Sequence, residues 1–112
     1  MNNAEVLVQK QLDYYNAHDL SGFLSTYSDS VVIKDLVSDT IIMEGKDAMA
    51  VRYKERFQVS KVHARLENRM VIGNKVIDHE FVTMADKEEI VKAIAIYEVK
   101  DQLIQKVWFL HT

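Results

Sequence analysis

The chain has 112 residues and a mass of 13.0 kDa, which is enough for one domain built on a single core and too little for two. Hydrophobic residues make up 48% and charged residues 28%, which is typical of a globular protein and excludes the disordered and fibrous classes. Cysteine is absent, so disulfides, thiolate nucleophiles and cysteine metal sites are excluded. The net charge is −3 and the 14 basic residues are scattered, which argues against a nucleic-acid partner.

Targeting and membrane signals are not found in the sequence. No apolar run approaches the length of a membrane helix, and the first residues lack the basic and hydrophobic regions of a secretory signal. We therefore expect a cytoplasmic protein with no membrane partner. Composition leaves three classes open, namely a small-molecule binder, a small enzyme and an assembly module.

The first part of the chain predicts two amphipathic helices. Apolar residues recur every three or four positions over residues 4–15, which predicts a helix that Asn2 or Asn3 caps and that ends near Asn16. Asp19 is the candidate N-cap of a second helix. The buried stripe predicted for this second helix consists of Leu20, Phe23, Leu24 and Tyr27.

Two short strands and a third helix are predicted next. The polar residues 28–30 end the second helix, and strands are expected at 31–33 and 41–43. Gly45 and Asp47 then open a third helix. Its predicted buried face carries Met49, Tyr53 and Phe57, each four residues from the next.

From Lys61 onward the hydrophobic period changes to two, which predicts an antiparallel meander. The expected strands are 61–72, 75–84, 90–99 and 103–111, with tight turns at 73–74 and 100–102. Helices followed by a long antiparallel sheet indicate an α+β fold with the helices on one face of the sheet.

Three short motifs carry a resemblance to a known family. They are Tyr15-Asn16-x-x-Asp19, Gly45-Lys46-Asp47-Ala48 and the segment from Arg69 to Glu80. In this order they resemble the SnoaL-like and steroid delta-isomerase-like branch of the nuclear transport factor 2-like superfamily, over nearly the whole chain. The resemblance implies a cone-shaped curved antiparallel sheet wrapped around three N-terminal helices, a cystatin-like roll. It also implies a pocket for a hydrophobic small molecule and a homodimer through the outer sheet face.

Two assignments of the sheet faces compete. Counting back from the turn at 73–74 pairs Arg69 with Asp78 and Glu67 with Glu80 on one face. The opposite face is more apolar, so hydrophobicity alone would turn it toward the core. The resemblance instead turns Asp78 and Glu80 toward the pocket. It leaves Leu66, Met70, Ile77 and Phe81 to form the dimer face.

Asp35 is the first candidate catalytic residue. The segment around it resembles the one in which steroid isomerases carry their general-base aspartate, and burial in an apolar cavity would raise its pKa into a useful range. The alternative is an exposed aspartate at a strand end. The positions that resemble the oxyanion donors of those isomerases hold Gln11 and Ala95, which argues against a true steroid isomerase.

Glu80 is the second candidate catalytic residue. If it faces the pocket, it is an acid or base shielded from water. The alternative is a surface ladder in which Glu80 and Glu67 share nearby cations, which contributes little to stability. A third possibility is that the counted register is wrong.

The ligand-binding candidates are mostly aromatic. Trp108 is expected to face inward on the last strand, where its indole forms a flat apolar wall with one donor. The full set of predicted ligand-binding residues is Tyr15, Tyr53, Phe57, Asp78, Tyr97 and Trp108. Several aromatic side chains around one pocket suit a flat hydrophobic ligand, while the competing interpretation is core packing.

Metal and cofactor motifs are not recognised in the sequence. The histidines are His18, His63, His79 and His111, and none has the spacing of a helical metal site. Neither a glycine-rich phosphate loop nor a nucleophile elbow occurs, so we expect no metal and no cofactor. Two hypotheses follow: a cofactor-independent isomerase, cyclase or hydrolase that uses Asp35 and Glu80, or a ligand-binding or dimeric scaffold protein without turnover.

Overall fold

The protein folds into three α-helices and a six-stranded sheet, as a computed structural model of the chain describes for residues 2–112. In chain order the elements are α1 (Asn3–Asn16), α2 (Leu20–Ser25), β1 (Tyr27–Asp35), β2 (Ile41–Glu44), α3 (Lys46–Glu55), β3 (His63–Ile72), β4 (Lys75–Met84), β5 (Lys87–Lys100) and β6 (Leu103–His111). A π-helical turn, Arg56–Ser60, extends α3. The predicted α+β class is confirmed. Within residues 2–112, no helix is both long and apolar enough to cross a membrane.

The helices begin at residues whose side chains or backbone suit a helix start. Asn2 Oδ1 accepts a hydrogen bond from the Glu5 backbone N–H at 2.8 Å, and Asp19 Oδ1 accepts one from Gly22 N–H at 3.0 Å. Gly45 precedes α3 with φ of 87°, in the left-handed region that favours glycine. Both predicted caps and the predicted glycine start are therefore confirmed.

The turn between α1 and α2 ties the helices to the sheet. Asn16 donates from Nδ2 to the Ala64 carbonyl at 2.9 Å and accepts from the Ala64 N–H at 2.8 Å. The His18 ring nitrogen Nε2 is 2.6 Å from the Val62 carbonyl oxygen. The Asn16 side chain thus fixes the end of α1 against β3 through two hydrogen bonds to the backbone of Ala64.

The sheet is curved and open, with strand order β2-β1-β6-β5-β4-β3. The four C-terminal strands form the predicted antiparallel meander, but β1 pairs with β6 in parallel. α2 ends at Ser25 and β1 begins at Tyr27, so the predictions that the helix includes Tyr27 and that the strand starts at residue 31 were wrong. Parallel pairing of Tyr27 with Ile104 extends β1 backward through the polar residues.

The β3–β4 register agrees with the prediction only near the turn. Arg69 lies opposite Asp78, and Met70 lies opposite Ile77, as predicted. An irregularity between Leu66 and Asn68 then shifts the pairing, so that Leu66 lies opposite Glu80. The predicted Glu67–Glu80 pair was therefore wrong, and Leu66 does not belong with the outer-face residues.

A cluster of aromatic rings packs the helices against the concave side of the sheet. Phe23 is fully buried, and its ring centroid lies 4.7 Å from that of Tyr53, 5.5 Å from that of Phe57 and 5.1 Å from that of Tyr27. Tyr15 packs edge-on against Phe57 at 5.6 Å. These contacts bring α1, α2 and α3 to one side of the fold's core.

A buried ion pair joins β3 to β4. Arg69 Nε donates to Asp78 Oδ1 at 2.7 Å, and Arg69 Nη2 donates to Asp78 Oδ2 at 3.0 Å. Arg69 Nη1 also donates to Gln9 Oε1 at 2.8 Å, which adds α1 to the same network. Asp78 is only 1% exposed, so Arg69 replaces the contacts with water that its carboxylate oxygens lose.

We predict that Arg69→Met lowers the free energy of unfolding by about 3–5 kcal/mol, because it leaves the Asp78 carboxylate buried without its cation. Urea denaturation at pH 7 measures this change. The matched control is Arg65→Met on the same strand, whose exposed guanidinium contacts Glu67 at 3.2 Å. Its expected loss is at most about 1 kcal/mol. Equal losses for the two variants would show that the pair at Asp78 has no special role.

Candidate functional site

A cavity of about 360 Å³ lies between the helices and the concave face of the sheet. Side chains from α1, α3 and every strand contribute to its wall. The lining residues are Gln11, Leu12, Tyr15, Tyr27, Ile42, Met43, Arg52, Tyr53, Arg56, Ala64, Glu80, Val82, Met84, Lys87, Val91, Ala93, Tyr97, Phe109, His111 and Thr112. Most of this surface is aromatic or aliphatic, which suits an apolar ligand.

The structure brings half of the predicted site residues together and separates the rest. On the cavity wall lie Glu80, Tyr15, Tyr53 and Tyr97. Outside the wall lie Asp35, Phe57, Asp78 and Trp108. The catalytic and ligand-binding roles of the first four stay predictions, while the placement of the other four requires corrections.

Among the side chains of the described lining, Glu80 is the one that carries a carboxylate. It lies on the concave face of β4 and is 6% exposed. Burial raises its pKa to about 7, the negative charge of Asp78 adds to the rise, and the positive charge of Arg69 opposes it. A carboxyl group with this pKa exchanges its proton near neutral pH, so it has both the acid and the base form available.

Four tyrosines of the same wall provide neutral hydroxyl groups. Burial is the largest cause that raises the pKa of Tyr15, Tyr27, Tyr53 and Tyr97, and the charge of Glu80 contributes to each rise. The four phenols therefore keep their protons at neutral pH and can donate hydrogen bonds to a ligand oxygen. All four tyrosines line the same cavity as Glu80.

Tyr27 is a wall residue that the sequence analysis missed. It was assigned to the buried stripe of α2, whereas the structure places it at the start of β1 with 2% exposure. The sequence holds no clear signal for this placement, because the pairing with β6 shifts register between Tyr27 and Val32 and the alternation of buried residues starts only at Val31.

Gln11 occupies the wall position at which the resemblance implies an isomerase tyrosine. The side chain is 4% exposed, and its Oε1 has no hydrogen-bond partner within residues 2–112. A buried acceptor without a partner is costly, and a ligand hydroxyl or amine group would satisfy it. Ala95, at the other position, is fully buried opposite Asp78 and offers no side-chain donor.

The prediction that Asp35 is a buried general base was wrong. Asp35 ends β1, and its Oδ1 accepts hydrogen bonds from the Val37 and Ser38 N–H groups at 2.9 Å each and from Ser38 Oγ at 3.1 Å. The backbone N–H of Ser38 is the largest cause that holds the pKa of Asp35 below its usual value. Asp35 therefore stabilises a surface turn, which is the alternative interpretation of this residue.

The prediction that Trp108 faces the pocket was also wrong. In β6, Ile104, Val107 and Phe109 pack toward the core, and Trp108 lies on the outer face opposite Ile96. Its ring centroid is 5.3 Å from Lys106 Nζ, on the same outer face. The physical reason is an irregularity opposite Glu98 and Val99, where one extra residue in β6 puts Ile104 and Val107 on the same buried face and turns Trp108 outward.

Phe57 and Asp78 lie behind the cavity wall, so neither is placed to bind a ligand directly. Phe57 is 4% exposed and packs between Tyr15 and Phe23 in the aromatic cluster. Asp78 points to the concave side as predicted, but Arg69 occupies both of its carboxylate oxygens. Its connection with the cavity is electrostatic, through Glu80.

Comparison with known proteins defines the family. A model of the SnoaL-like domain family matches residues 8–107. The chain belongs to the SnoaL-like family. No curated protein matches this SnoaL-like chain.

Within residues 2–112, no three His, Cys, Asp or Glu residues are grouped so that they could hold a metal ion.

Solved structures share the fold of this SnoaL-like domain at low sequence identity. An uncharacterised cystatin-fold protein from Novosphingobium aromaticivorans has 21% identity, 98% coverage of both chains and a TM-score of 0.82. A candidate ketosteroid isomerase from Kribbella flavida has 14% identity, 98% coverage of this chain and 78% of that chain, and a TM-score of 0.85. A candidate SnoaL-like polyketide cyclase from Shewanella denitrificans has 12% identity, 97% and 90% coverage, and a TM-score of 0.80. At these identities the likeness shows the fold.

We predict that Glu80→Gln stabilises the protein increasingly as pH rises. Because the pKa of Glu80 is higher in the folded protein than in the unfolded chain, its stabilising contribution is complete below the unfolded value and is lost as pH rises through about 7. Glutamine carries no such dependence. The unfolding free energy of the variant minus that of the wild type should therefore rise by about 3 kcal/mol between pH 4 and pH 8.

Urea denaturation of both proteins at intervals across this range measures the difference. Asp35→Asn is the matched control with the opposite sign. The pKa of Asp35 is lowered in the folded protein, so its carboxylate stabilises the fold above the unfolded pKa and loses this effect as pH falls. A Glu80→Gln difference that stays constant with pH would contradict the raised pKa of Glu80.

Proposed function

We propose that this SnoaL-like protein is a cofactor-independent acid–base catalyst that acts on a hydrophobic carbonyl compound held in the cavity. The observation that carries the proposal is the position of Glu80, buried on an aromatic wall with a pKa of about 7. A residue of this kind removes and returns protons at neutral pH without a metal or a cofactor. The candidate isomerase and the candidate cyclase among the structural neighbours support the same reaction class.

The proposed reaction begins with proton transfer to Glu80. Its carboxylate takes a proton from the carbon next to the substrate carbonyl, and the electron pair of that C–H bond moves onto the carbonyl oxygen. A neutral hydroxyl of Tyr15, Tyr53 or Tyr97 donates a hydrogen bond to this oxygen as its negative charge develops. In an isomerisation, protonated Glu80 then returns the proton to another carbon. In a cyclisation, the enolate carbon forms a bond to a second carbonyl carbon, and protonated Glu80 gives its proton to the alkoxide oxygen that results.

The ion pair behind the wall adjusts the proton affinity of Glu80. The Asp78 carboxylate raises the pKa of Glu80, and Arg69 opposes this effect. Because Arg69 holds Asp78 with two hydrogen bonds, it also keeps the Asp78 carboxylate from reaching into the cavity. One of the two acidic residues on this face of β4 is thus neutralised by a cation and the other remains free to exchange a proton.

A second candidate function is ligand binding without turnover. Gln11 favours it, because the unpartnered Oε1 accepts a hydrogen bond and does not stabilise a developing negative charge. A ligand that fills the apolar chamber and donates one hydrogen bond to Gln11 Oε1 would give this buried oxygen its missing partner, and no reaction is needed. Turnover that depends on Glu80 separates the two candidates.

We predict that the protein accelerates hydrogen–deuterium exchange at the carbon next to the carbonyl of 2-tetralone, a flat hydrophobic ketone. The exchange rate in D₂O, followed by proton NMR, should rise with pH with a midpoint near 7, because the ionised form of Glu80 is the base. Glu80→Gln should lower the protein-dependent rate at least about 100-fold.

Asp35→Asn is the matched carboxylate control for this reaction, because Asp35 lies in a surface turn outside the cavity. Its exchange rate should equal that of the wild type. Binding of 2-tetralone without accelerated exchange would support the ligand-binding alternative. Exchange that survives Glu80→Gln would reject Glu80 as the base.

We further propose that the outer sheet face forms a homodimer interface. Met70 is 55% exposed there, and Ile77, Phe81, Ile96 and Trp108 lie on the same face by strand alternation and pairing. A row of apolar side chains across β3, β4, β5 and β6 is an uncovered surface of the kind that self-association buries.

Cytoplasmic location and the absence of nucleic-acid and cofactor partners also stay predictions.

We predict that Ile77→Glu converts a dimer into a monomer, because it places a charge between Met70 and Ile96 at the centre of this face. Sedimentation velocity of the wild type and the variant at equal concentration measures the change. Val51→Glu is the control, since Val51 is 77% exposed on α3, away from the sheet. A wild type that sediments as a monomer at micromolar concentration would remove the proposed interface.

A further inference from the structure

Three basic side chains line the cavity at or near the protein surface. Arg52 and Arg56 reach it from the α3 end, and Lys87 reaches it from the start of β5. We call these three residues the basic rim. Arg52 and Lys87 are exposed and Arg56 is half-buried, as expected of side chains at an opening. Within residues 2–112, none of the three takes part in a salt bridge.

The positive charge of the rim extends into the chamber. Arg56 lowers the pKa of Tyr15, and Arg52 and Arg56 both lower the pKa of Tyr53, in each case against the larger effect of burial. Both tyrosines belong to the wall that also holds Glu80. The electrostatic field of the two arginines therefore acts on groups inside the cavity as well as on solvent.

The charge of the cavity contrasts with that of the whole chain. The protein has a net charge of −3, yet the described lining has three cationic side chains, Arg52, Arg56 and Lys87, and one carboxylate side chain, Glu80. Glu80 is partly protonated near neutral pH, so these side chains together carry an excess of positive charge. An anion bound at the rim would be attracted to the three cations.

The remainder of the wall is apolar. Leu12, Met43, Val91 and Phe109 line the chamber together with the tyrosines. An apolar chamber with a positive mouth is complementary to a molecule that has one hydrophobic part and one negatively charged end. A fully apolar ligand would leave the rim unused, and a small inorganic anion would leave the chamber unfilled.

We propose that the substrate or ligand of this cavity is an anionic amphiphile, whose carboxylate, phosphate or sulfonate group binds the basic rim and whose hydrophobic body extends to Glu80. The inference rests on the proposed function and specifies its substrate class. The rim fixes the charged end, so the reacting carbon of the body is held at a constant depth beside Glu80.

Two fluorescent probes that differ only in charge test the proposal. 8-Anilinonaphthalene-1-sulfonate carries a sulfonate group, and N-phenyl-1-naphthylamine has the same rings without it. We expect the wild type to bind the sulfonate more tightly, with an affinity that falls as salt is added. Arg52→Gln should weaken sulfonate binding about fivefold, which corresponds to one partly exposed ion pair, and should leave binding of the neutral probe unchanged.

Lys54→Gln is the matched control, because Lys54 is an exposed cation two residues from Arg52 on α3 and does not line the cavity. It should bind both probes as the wild type does. Lys87→Gln provides a second rim variant at an exposed position in the β4–β5 turn region, where loss of the side chain leaves the core intact. Arg56→Gln should give the largest loss, since Arg56 is the most buried of the three.

Trp108 is the single tryptophan of the chain and lies on the outer sheet face. Its NMR signal therefore detects a probe that binds to this face and not in the cavity. Sulfonate binding that shifts the Trp108 indole NMR signal and no cavity tyrosine signal would overturn the proposal. Equal sulfonate affinity in Arg52→Gln, Lys87→Gln and the wild type would also overturn it, while leaving proton exchange by Glu80 intact. Rim-dependent sulfonate binding together with exchange that survives Glu80→Gln would support the ligand class and reject the proposed catalysis.

Discussion

Two carboxylates on one buried face of β4 set the electrostatics of the molecule. Asp78 and Glu80 are two residues apart, so strand alternation sends both side chains to the concave side, where both are nearly fully buried. Arg69 compensates Asp78 with a bidentate ion pair, and Glu80 keeps a proton up to about neutral pH. The raised pKa of Glu80 therefore results from the same burial that folds the sheet around the helices.

Part of this arrangement could be predicted because it depends on short-range geometry. The turn at Gly73 is tight, with φ of 57°, and counting from it gives the pairing of Arg69 with Asp78. The pairing farther from the turn could not be predicted by counting residues, because the register shifts between Leu66 and Asn68. No glycine or other residue typical of a β-bulge indicates this shift in the sequence. The caps at Asn2 and Asp19 were predictable because their hydrogen bonds span only three residues.

The errors at Asp35 and Trp108 have different physical origins. Asp35 has a local signal for a turn, since Ser38 follows it three residues later, whereas the family resemblance indicates a buried base at this position. Trp108 had no local signal, because the face that a strand residue occupies depends on the extra residue in β6 and on pairing with β5. The basic rim was equally invisible in sequence, because Arg52 and Arg56 look like ordinary exposed residues of a helix until the sheet places a cavity beside them.

The parallel contact between β1 and β6 has a consequence for how the chain folds. Residues 27–35 of β1 pair with residues 104–109 of β6. The sheet is therefore completed only after β6 has been synthesised and can pair with both β5 and β1. Contacts between segments so distant along a chain impose a large loop-closure entropy and slow the folding rate. We therefore expect the antiparallel meander, whose strands are neighbours in the chain, to form before β1 pairs with β6. Mutations that weaken the β1–β6 seam should thus act on the speed of folding as well as on its equilibrium.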